Sequence, residues 1–154
     1  MSRVQLALRV SDLEGSIEFY RSLFRAEPAK RRPGYANFAI VEPPLKLVLI
    51  EGEPDQATAL DHLGVEVATT AEVTAATTRL AGLGLATVEE NDTTCCYALQ
   101  DKVWVHGPGS EPWEVYTVKA DAPDATSIRP DNGPGPCECG TPAAGDGTAL
   151  TACC

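Results

Sequence analysis

Two adjacent cysteines, Cys95 and Cys96, are the residues whose types and spacing point most directly to chemistry. The peptide bond between neighbouring cysteines restrains their geometry and disfavours a relaxed disulfide. Two neighbouring thiolates instead form a soft chelate, which suits thiophilic metals and metalloids. The alternative interpretations are two small buried residues in a loop, or incidental zinc binding. Polar residues surround the pair, and we interpret the segment 91–101 as a loop that can close over a cleft.

The other four cysteines, Cys137, Cys139, Cys153 and Cys154, lie within the last 18 residues. The composition changes from about Asp121, and residues 121–154 hold five of the 12 prolines, five of the 13 glycines and no aromatic residue. Such a segment buries too little apolar surface to offset the entropy of ordering. We therefore predict a folded domain over 1–120 and a flexible tail over 121–154. The tail cysteines either capture thiophilic ligands or have no role.

The charge balance excludes two classes of partner. The chain of 154 residues has 12 basic and 22 acidic residues, so its formal net charge is −10. Nucleic acids and anionic membrane surfaces repel such a protein. The sequence contains no apolar run of about 20 residues, as a membrane-spanning helix requires, and no export signal. We therefore expect a cytoplasmic protein with mostly reduced cysteines.

A repeated order of elements must position any functional residues. The first copy contains an alternating strand at 4–10, a helix capped by Ser11-Asp12, and strand-like runs at 27–32, 35–41 and 45–50. About 57 residues later the order returns: a strand at 62–67, a cap at Thr69-Thr70, an apolar helical stripe and runs at 86–90, 102–106 and 113–118. The stripe comprises Val73, Ala76, Leu80 and Leu83.

This repetition predicts an α+β fold made of two βαβββ modules, with helices outside and a cleft inside. The alternative is an ordinary α+β domain in which the repetition is fortuitous. Gln5 and His62 occupy equivalent places in the two copies. His106 lies in a predicted turn, where we expect a surface residue.

The pattern resembles the vicinal oxygen chelate superfamily, which includes glyoxalase I, extradiol dioxygenases and bleomycin-resistance proteins. The resemblance covers 1–120, as modules of about 1–55 and 58–120, and rests on the segments 11–20, 62–67, 106–109 and 112–116. It implies metal ligands on the first and last strands of the modules, namely Gln5, His62 and Glu114. The strand 45–50 contains no carboxylate, so the fourth ligand of glyoxalase I is missing. Such a three-ligand set resembles the centres of non-haem Fe(II) oxygenases.

A cysteine pair beside such a cleft resembles the ArsI carbon–arsenic lyases and the related cadmium-induced proteins. The resemblance implies an Fe(II)-dependent dioxygenase that cleaves the carbon–arsenic bond of trivalent organoarsenicals, such as methylarsenite and trivalent aromatic arsenicals, and releases arsenite. Cys95 and Cys96 would hold arsenic, dioxygen would be the co-substrate, and no catalytic residue beyond the metal ligands is implied. We expect a monomer or a homodimer.

Three other functions remain open at this point. The first is a non-catalytic protein that binds cadmium or arsenic through thiols. The second is a glyoxalase-type isomerase or thiol transferase, although the missing fourth ligand argues against it. The third is an extradiol dioxygenase of catechols, which would use two histidines and a carboxylate where this chain offers Gln5.

Overall fold

A computed structural model of the chain describes residues 2–95 and 97–122. Cys96 and the four tail cysteines lie outside the described residues. Two modules follow each other along the chain, in the predicted order. The first comprises β1 (Arg3–Val10), α1 (Leu13–Phe24), β2 (Lys30–Arg32), β3 (Tyr35–Ile40) and β4 (Leu45–Glu51). The second comprises β5 (Ala59–Glu66), α2 (Thr70–Gly82), β6 (Val88–Cys95), β7 (Ala98–His106) and β8 (Pro112–Asp121).

The eight strands form one mixed sheet in the order β2-β3-β4-β1-β5-β8-β7-β6. The modules meet where β1 pairs antiparallel with β5, and each of these strands also pairs in parallel with the last strand of its own module. Gln5 lies opposite Gly64, and Ala7 lies opposite His62. Gln5 is the equivalent of His62 in the other module, and Ala7 is the equivalent of Gly64. The two pairs are therefore related by an approximate twofold axis between β1 and β5.

Side chains alternate between the two faces of this sheet, as the strand pleat requires. In the first module, the buried residues Phe38, Leu47 and Leu49 lie in one cluster with Leu13 and Ile17 of α1. Their sequence neighbours on the opposite face line a cavity, among them Asn37, Lys46 and Val48. In the second module, Val73, Ala76 and Leu80 of α2 pack against Val103. The helices therefore cover one face of the sheet, and the other face forms the cavity.

Both helices begin at the predicted capping residues. The Asp12 carboxylate accepts a hydrogen bond from the backbone N–H of Gly15, and Thr69 and Glu72 form a reciprocal capping box. The prediction that Leu83 belongs to the buried stripe is wrong, because α2 ends at Gly82 and Leu83 is 69% exposed. Neither helix in the described ranges is long and apolar enough to cross a membrane.

The interpretation of 91–101 as a loop is also wrong. β6 extends to Cys95 and β7 begins at Ala98, and Thr93 lies opposite Gln100. The segment is polar because β6 is the edge strand of the sheet, where one side faces solvent. Its β-branched threonines favour extended backbone. Cys95 is therefore the last residue of an edge strand in a hairpin, and it is only 1% exposed.

Candidate metal centre

The structure brings Gln5, His62 and Glu114 together at the junction of the modules. They lie on β1, β5 and β8, three neighbouring strands, and each is at most 4% exposed. The Gln5 Nε2 atom lies 2.8 Å from His62 Nε2 and 2.8 Å from Glu114 Oε1. The His62 Nε2 to Glu114 Oε1 distance is 3.4 Å. Three donor groups from distant parts of the sequence thus converge on one point.

The imidazole of His62 is held so that Nε2 faces this point. Asp61 Oδ1 lies 2.7 Å from His62 Nδ1, and Arg9 Nε lies 2.7 Å from Asp61 Oδ2. A carboxylate at Nδ1 fixes the N–H there, so Nε2 is the nitrogen that can bind a metal once it has lost its proton. Burial opposes protonation of the ring, but the hydrogen bonds to Asp61 and Glu114 outweigh it and raise the pKa of His62 to about 9.

Glu114 presents one oxygen to the cluster and the other to a lysine. Its Oε2 atom accepts a hydrogen bond from Lys102 Nζ at 2.9 Å, while Oε1 faces Gln5 and His62. Burial favours the neutral acid, but the Lys102 ammonium and His62 outweigh it and lower the pKa of Glu114 to about 2. The carboxylate is therefore charged at neutral pH, and its geometry suits a metal ligand that uses a single oxygen.

The Gln5 amide completes the set with a neutral donor. Its Oε1 atom accepts a hydrogen bond from the hydroxyl of Tyr116, and its Nε2 atom faces the cluster. A half-turn of the amide exchanges these atoms, and the hydroxyl of Tyr116 can then accept from Nε2. That rotation turns the amide oxygen towards the cluster. When His62 is protonated, the rotation also places an acceptor, and not a second N–H donor, opposite His62 Nε2.

An imidazole nitrogen, a carboxylate oxygen and an amide oxygen fit a divalent transition metal, so these residues are suited to one. No group of three His, Cys, Asp or Glu side chains within 2–95 and 97–122 is arranged to hold a metal. The third member of this cluster is an amide. Val48 occupies the position in the first module that Glu114 occupies in the second, because Val48 pairs with Ala7 as Glu114 pairs with Gly64. An apolar side chain therefore stands where a fourth ligand would lie.

Gly64 makes room for this cluster. A Cβ atom at Gly64 would lie 3.1 Å from Glu114 Cγ, 3.3 Å from Gln5 Cβ and 3.3 Å from Tyr116 Cε1. These distances are shorter than ordinary carbon–carbon contacts. The absence of a side chain at Gly64 therefore allows Gln5 on β1 and Glu114 on β8 to approach each other.

The cluster opens into a cavity of about 190 Å³ that both modules line. Cys95 also lines this cavity, and the Gln100 amide donates a hydrogen bond to its backbone carbonyl at 3.1 Å. On the other side of the turn, Lys30 Nζ lies 3.2 Å from the carbonyl oxygen of Tyr97. The cavity thus joins the cluster of Gln5, His62 and Glu114 to the first cysteine of the pair. His106 is exposed, as predicted, but it is the last residue of β7 and does not lie in the turn that follows.

Three residues around the cluster are not among those predicted from the sequence: Asp61, Lys102 and Tyr116. Asp61 could have been found as the acid that precedes His62. Tyr116 lies two residues after Glu114 on the same strand and therefore on the same face. Lys102 lies opposite Tyr116 in the register of β7 and β8, and that pairing could not be derived without the structure.

The model of the Glyoxalase/Bleomycin resistance protein/Dioxygenase superfamily matches residues 3–115. The chain belongs to this superfamily. The match begins in β1 and ends in β8, and so contains all three residues of the cluster. The fold of two βαβββ modules agrees with this membership.

Several relatives within this superfamily are similar in sequence over most of the chain. A "trivalent organoarsenical cleaving enzyme" from Thermomonospora curvata is 74% identical over 122 residues, 79% of this chain and 81% of that protein. The "cadmium-induced protein CadI" from Mycobacterium bovis is 64% identical over 79% of this chain and 80% of that protein. A "trivalent organoarsenical cleaving enzyme" from Bacillus sp. strain MD1 is 38% identical over 100% of this chain and 99% of that protein.

Solved structures share the fold at lower identity. Homoprotocatechuate 2,3-dioxygenase from Brevibacterium fuscum matches with a TM-score of 0.58 and 22% identity, over 77% of this chain and 32% of that chain. Methylmalonyl-CoA epimerase from Mycobacterium tuberculosis matches with a TM-score of 0.56 and 17% identity, over 73% of this chain and 85% of that chain. Since these two proteins have different activities, the fold alone does not assign the reaction.

Proposed function

We propose that the protein is an Fe(II)-dependent dioxygenase that cleaves the carbon–arsenic bond of trivalent organoarsenicals and yields inorganic arsenite. The observation that carries this proposal is the convergence of Gln5, His62 and Glu114 in the same cavity that Cys95 lines. One region of the molecule thus offers hard and borderline donors for a redox metal together with a soft thiol for arsenic.

The substrate class is supported by the names of the relatives. The Thermomonospora curvata and Bacillus proteins are both named as trivalent organoarsenical cleaving enzymes. The identity of 74% extends over 122 residues. We therefore assign methylarsenite and trivalent aromatic arsenicals as the substrates of this chain.

Gln5, His62 and Glu114 would hold the metal. Bound Fe(II) would supply one-electron chemistry and open positions at which dioxygen and substrate can meet. Asp61 keeps the imidazole of His62 in the tautomer that presents Nε2. Lys102 occupies the second oxygen of Glu114 and so limits that carboxylate to one ligating atom.

Cys95 together with Cys96 would hold the arsenic. Lys46 and Lys102 line the same cavity as Cys95. Fixation of arsenic at the hairpin end would orient the carbon–arsenic bond towards the metal, which is catalysis by positioning. This division of roles requires no separate acid or base beyond the metal ligands.

The second candidate function is thiol-based binding of cadmium or arsenic without catalysis. The observation that favours it is the 64% identity with a protein named as cadmium-induced. This function needs the cysteines but places no demand on Gln5, His62 and Glu114. The two candidates therefore differ in what they require of the metal centre.

The test is anaerobic reconstitution with Fe(II), followed by incubation with methylarsenite in air. Inorganic arsenite is measured by chromatography with elemental detection, for the unmodified protein, His62→Ala, Cys95→Ser and Cys96→Ser. We expect arsenite only from the unmodified protein, and only with both iron and oxygen. Tight arsenical binding without release would instead support the binding protein.

The division of roles has its own control. Cys95→Ser and Cys96→Ser are expected to lose arsenical binding while they retain iron, which metal analysis of the reconstituted proteins measures. Equal loss of iron in the cysteine variants would contradict the assignment of the thiols to arsenic.

A further inference from the structure

One lysine in the cavity differs from the other cations that line it. Within the described ranges, four lysine and arginine side chains line the cavity: Arg3, Lys30, Lys46 and Lys102. Arg3 pairs with Glu66 at 2.5 Å, Lys30 with Asp121, and Lys102 with Glu114 at 2.9 Å. Lys46 makes no ion pair with a carboxylate among the described residues. Its Nζ atom instead lies 4.9 Å from the centre of the Tyr116 ring.

Lys46 lies directly beside the metal-ligand cluster. It pairs with Gln5 in the parallel register of β4 and β1, so the two side chains leave the same face of the sheet. The ring under its ammonium group belongs to Tyr116, whose hydroxyl bonds the amide of Gln5. A molecule that occupies the cavity next to the cluster therefore meets this ammonium group.

The surroundings of Lys46 leave its charge incompletely compensated. The two carboxylates that act on it, Glu66 and Glu114, are already engaged by Arg3 and Lys102. A ring face gives a cation less stabilisation than a carboxylate hydrogen bond gives. An occupant that brings an anionic group would compensate this charge.

The size and lining of the cavity suit an aromatic occupant. Its volume is about 190 Å³, and an apolar cavity of about 150 Å³ is large enough for benzene. Small and apolar side chains form part of the wall: Ala29, Ala39, Val48, Ala98 and Val118. An aryl ring can therefore pack against this wall with a polar ring substituent near Lys46.

We propose that Lys46 is a specificity-determining residue, which recognises an anionic substituent on the aromatic ring of a trivalent arsenical. The inference rests on the proposed function and extends it from the arsenic atom to the organic group. In this arrangement the cysteines hold arsenic, and Lys46 holds the distal end of the substrate. Lys46 thereby makes acidic aryl arsenicals better ligands than unsubstituted ones.

The test compares the binding of trivalent phenylarsenical with that of its 4-carboxyphenyl analogue. Equilibrium titrations follow tryptophan fluorescence, since the Trp104 ring lies 5.5 Å from the His62 ring. The proteins are the unmodified chain, Lys46→Met, Lys46→Arg and Arg79→Met. Arg79→Met removes the same charge from an exposed position on α2 that does not line the cavity. Thermal unfolding checks that each variant is folded.

We expect Lys46→Met to weaken binding of the carboxyphenyl compound by about ten- to hundredfold, the range for a hydrogen bond to a charged group. Binding of the phenyl compound should change by less than about threefold. Lys46→Arg should retain most of the preference, and Arg79→Met all of it. Equal weakening of both compounds in Lys46→Met, or no weakening, would overturn the role of Lys46. Failure of the unmodified protein to bind either compound would overturn the proposed function itself, and this inference with it.

Discussion

The two modules have the same fold but contribute unequally to the candidate metal centre. β5 and β8 of the second module provide His62 and Glu114, whereas the equivalent strands of the first, β1 and β4, provide Gln5 and Val48. The repeat therefore determines where ligands can lie, and side-chain identity determines which positions ligate. The second module carries the two ionisable members of the cluster, His62 and Glu114. The first contributes Gln5 to the cluster, and Val48 and Lys46 to the lining of the cavity beside it.

The largest effect is expected from removal of the imidazole. His62→Ala should lower the affinity for Fe(II) by more than about a hundredfold, because it removes a nitrogen ligand and leaves a carboxylate and a weakly ligating amide. Anaerobic metal-binding titration measures the change. His106→Ala removes the other histidine, which is exposed, and should bind metal as the unmodified protein does. Equal losses of Fe(II) affinity in the two variants would contradict the assignment of His62 as a metal ligand.

A smaller effect is expected from the acid behind the imidazole. Asp61→Asn should reduce metal affinity by about ten- to a hundredfold, since partners of this kind fix the tautomer and raise the basicity of a ligating histidine. In the first module, Val4 precedes Gln5 as Asp61 precedes His62. The amide of Gln5 has no tautomer that a neighbouring acid could fix. Asp12→Asn serves as the control, as it retains a side chain that caps α1. Unchanged metal affinity in Asp61→Asn would contradict the role of Asp61.

Gly64 and the equivalent residue of the first module differ by one methyl group. Gly64→Ala should destabilise the fold by about 1–3 kcal/mol and weaken metal binding, because the new Cβ meets Glu114, Gln5 and Tyr116. The equivalent residue of the first module is Ala7, which already has a Cβ and is fully buried. Urea unfolding gives the free energy of unfolding, and a metal titration gives the affinity. If Gly64→Ala changed neither the free energy of unfolding nor the metal affinity, the ligands would need no such space.

The smallest effects should be equal in the two modules. Asp12→Ala and Thr69→Ala each remove the side chain that caps a helix, and each should cost about 1 kcal/mol of unfolding free energy. Neither should change metal affinity, because both caps lie in the connections between strand and helix. Urea unfolding measures both variants. A marked difference between them would mean that the modules differ in their scaffolds as well as in their ligands.

Much of the fold could be predicted from sequence because its signals are local and occur twice. Alternating strands, capped helices and the spacing between Gln5 and His62 are all visible in one chain. The hairpin that carries Cys95 cannot be distinguished from a loop by its sequence, because its edge strand lacks a regular apolar face. The division into a domain of 1–120 and a tail stays a prediction.

The candidate site was predictable only in part. Gln5, His62 and Glu114 were predicted as a set through the family resemblance, and the structure brings them together. Lys102 depends on the register between β7 and β8, and Lys46 on the register between β4 and β1. Register arises from packing over the whole sheet, so neither residue could be assigned from local sequence.

X-ray absorption at both the iron and the arsenic edges tests the central claim most directly. The sample is the full chain with Fe(II) and methylarsenite, prepared without oxygen so that the substrate stays intact. We predict that iron has only nitrogen and oxygen neighbours and that arsenic has two sulfur neighbours. Sulfur in the first coordination shell of iron, or arsenic bound by oxygen alone, would contradict the assignment of the metal to Gln5, His62 and Glu114 and of arsenic to the cysteine pair.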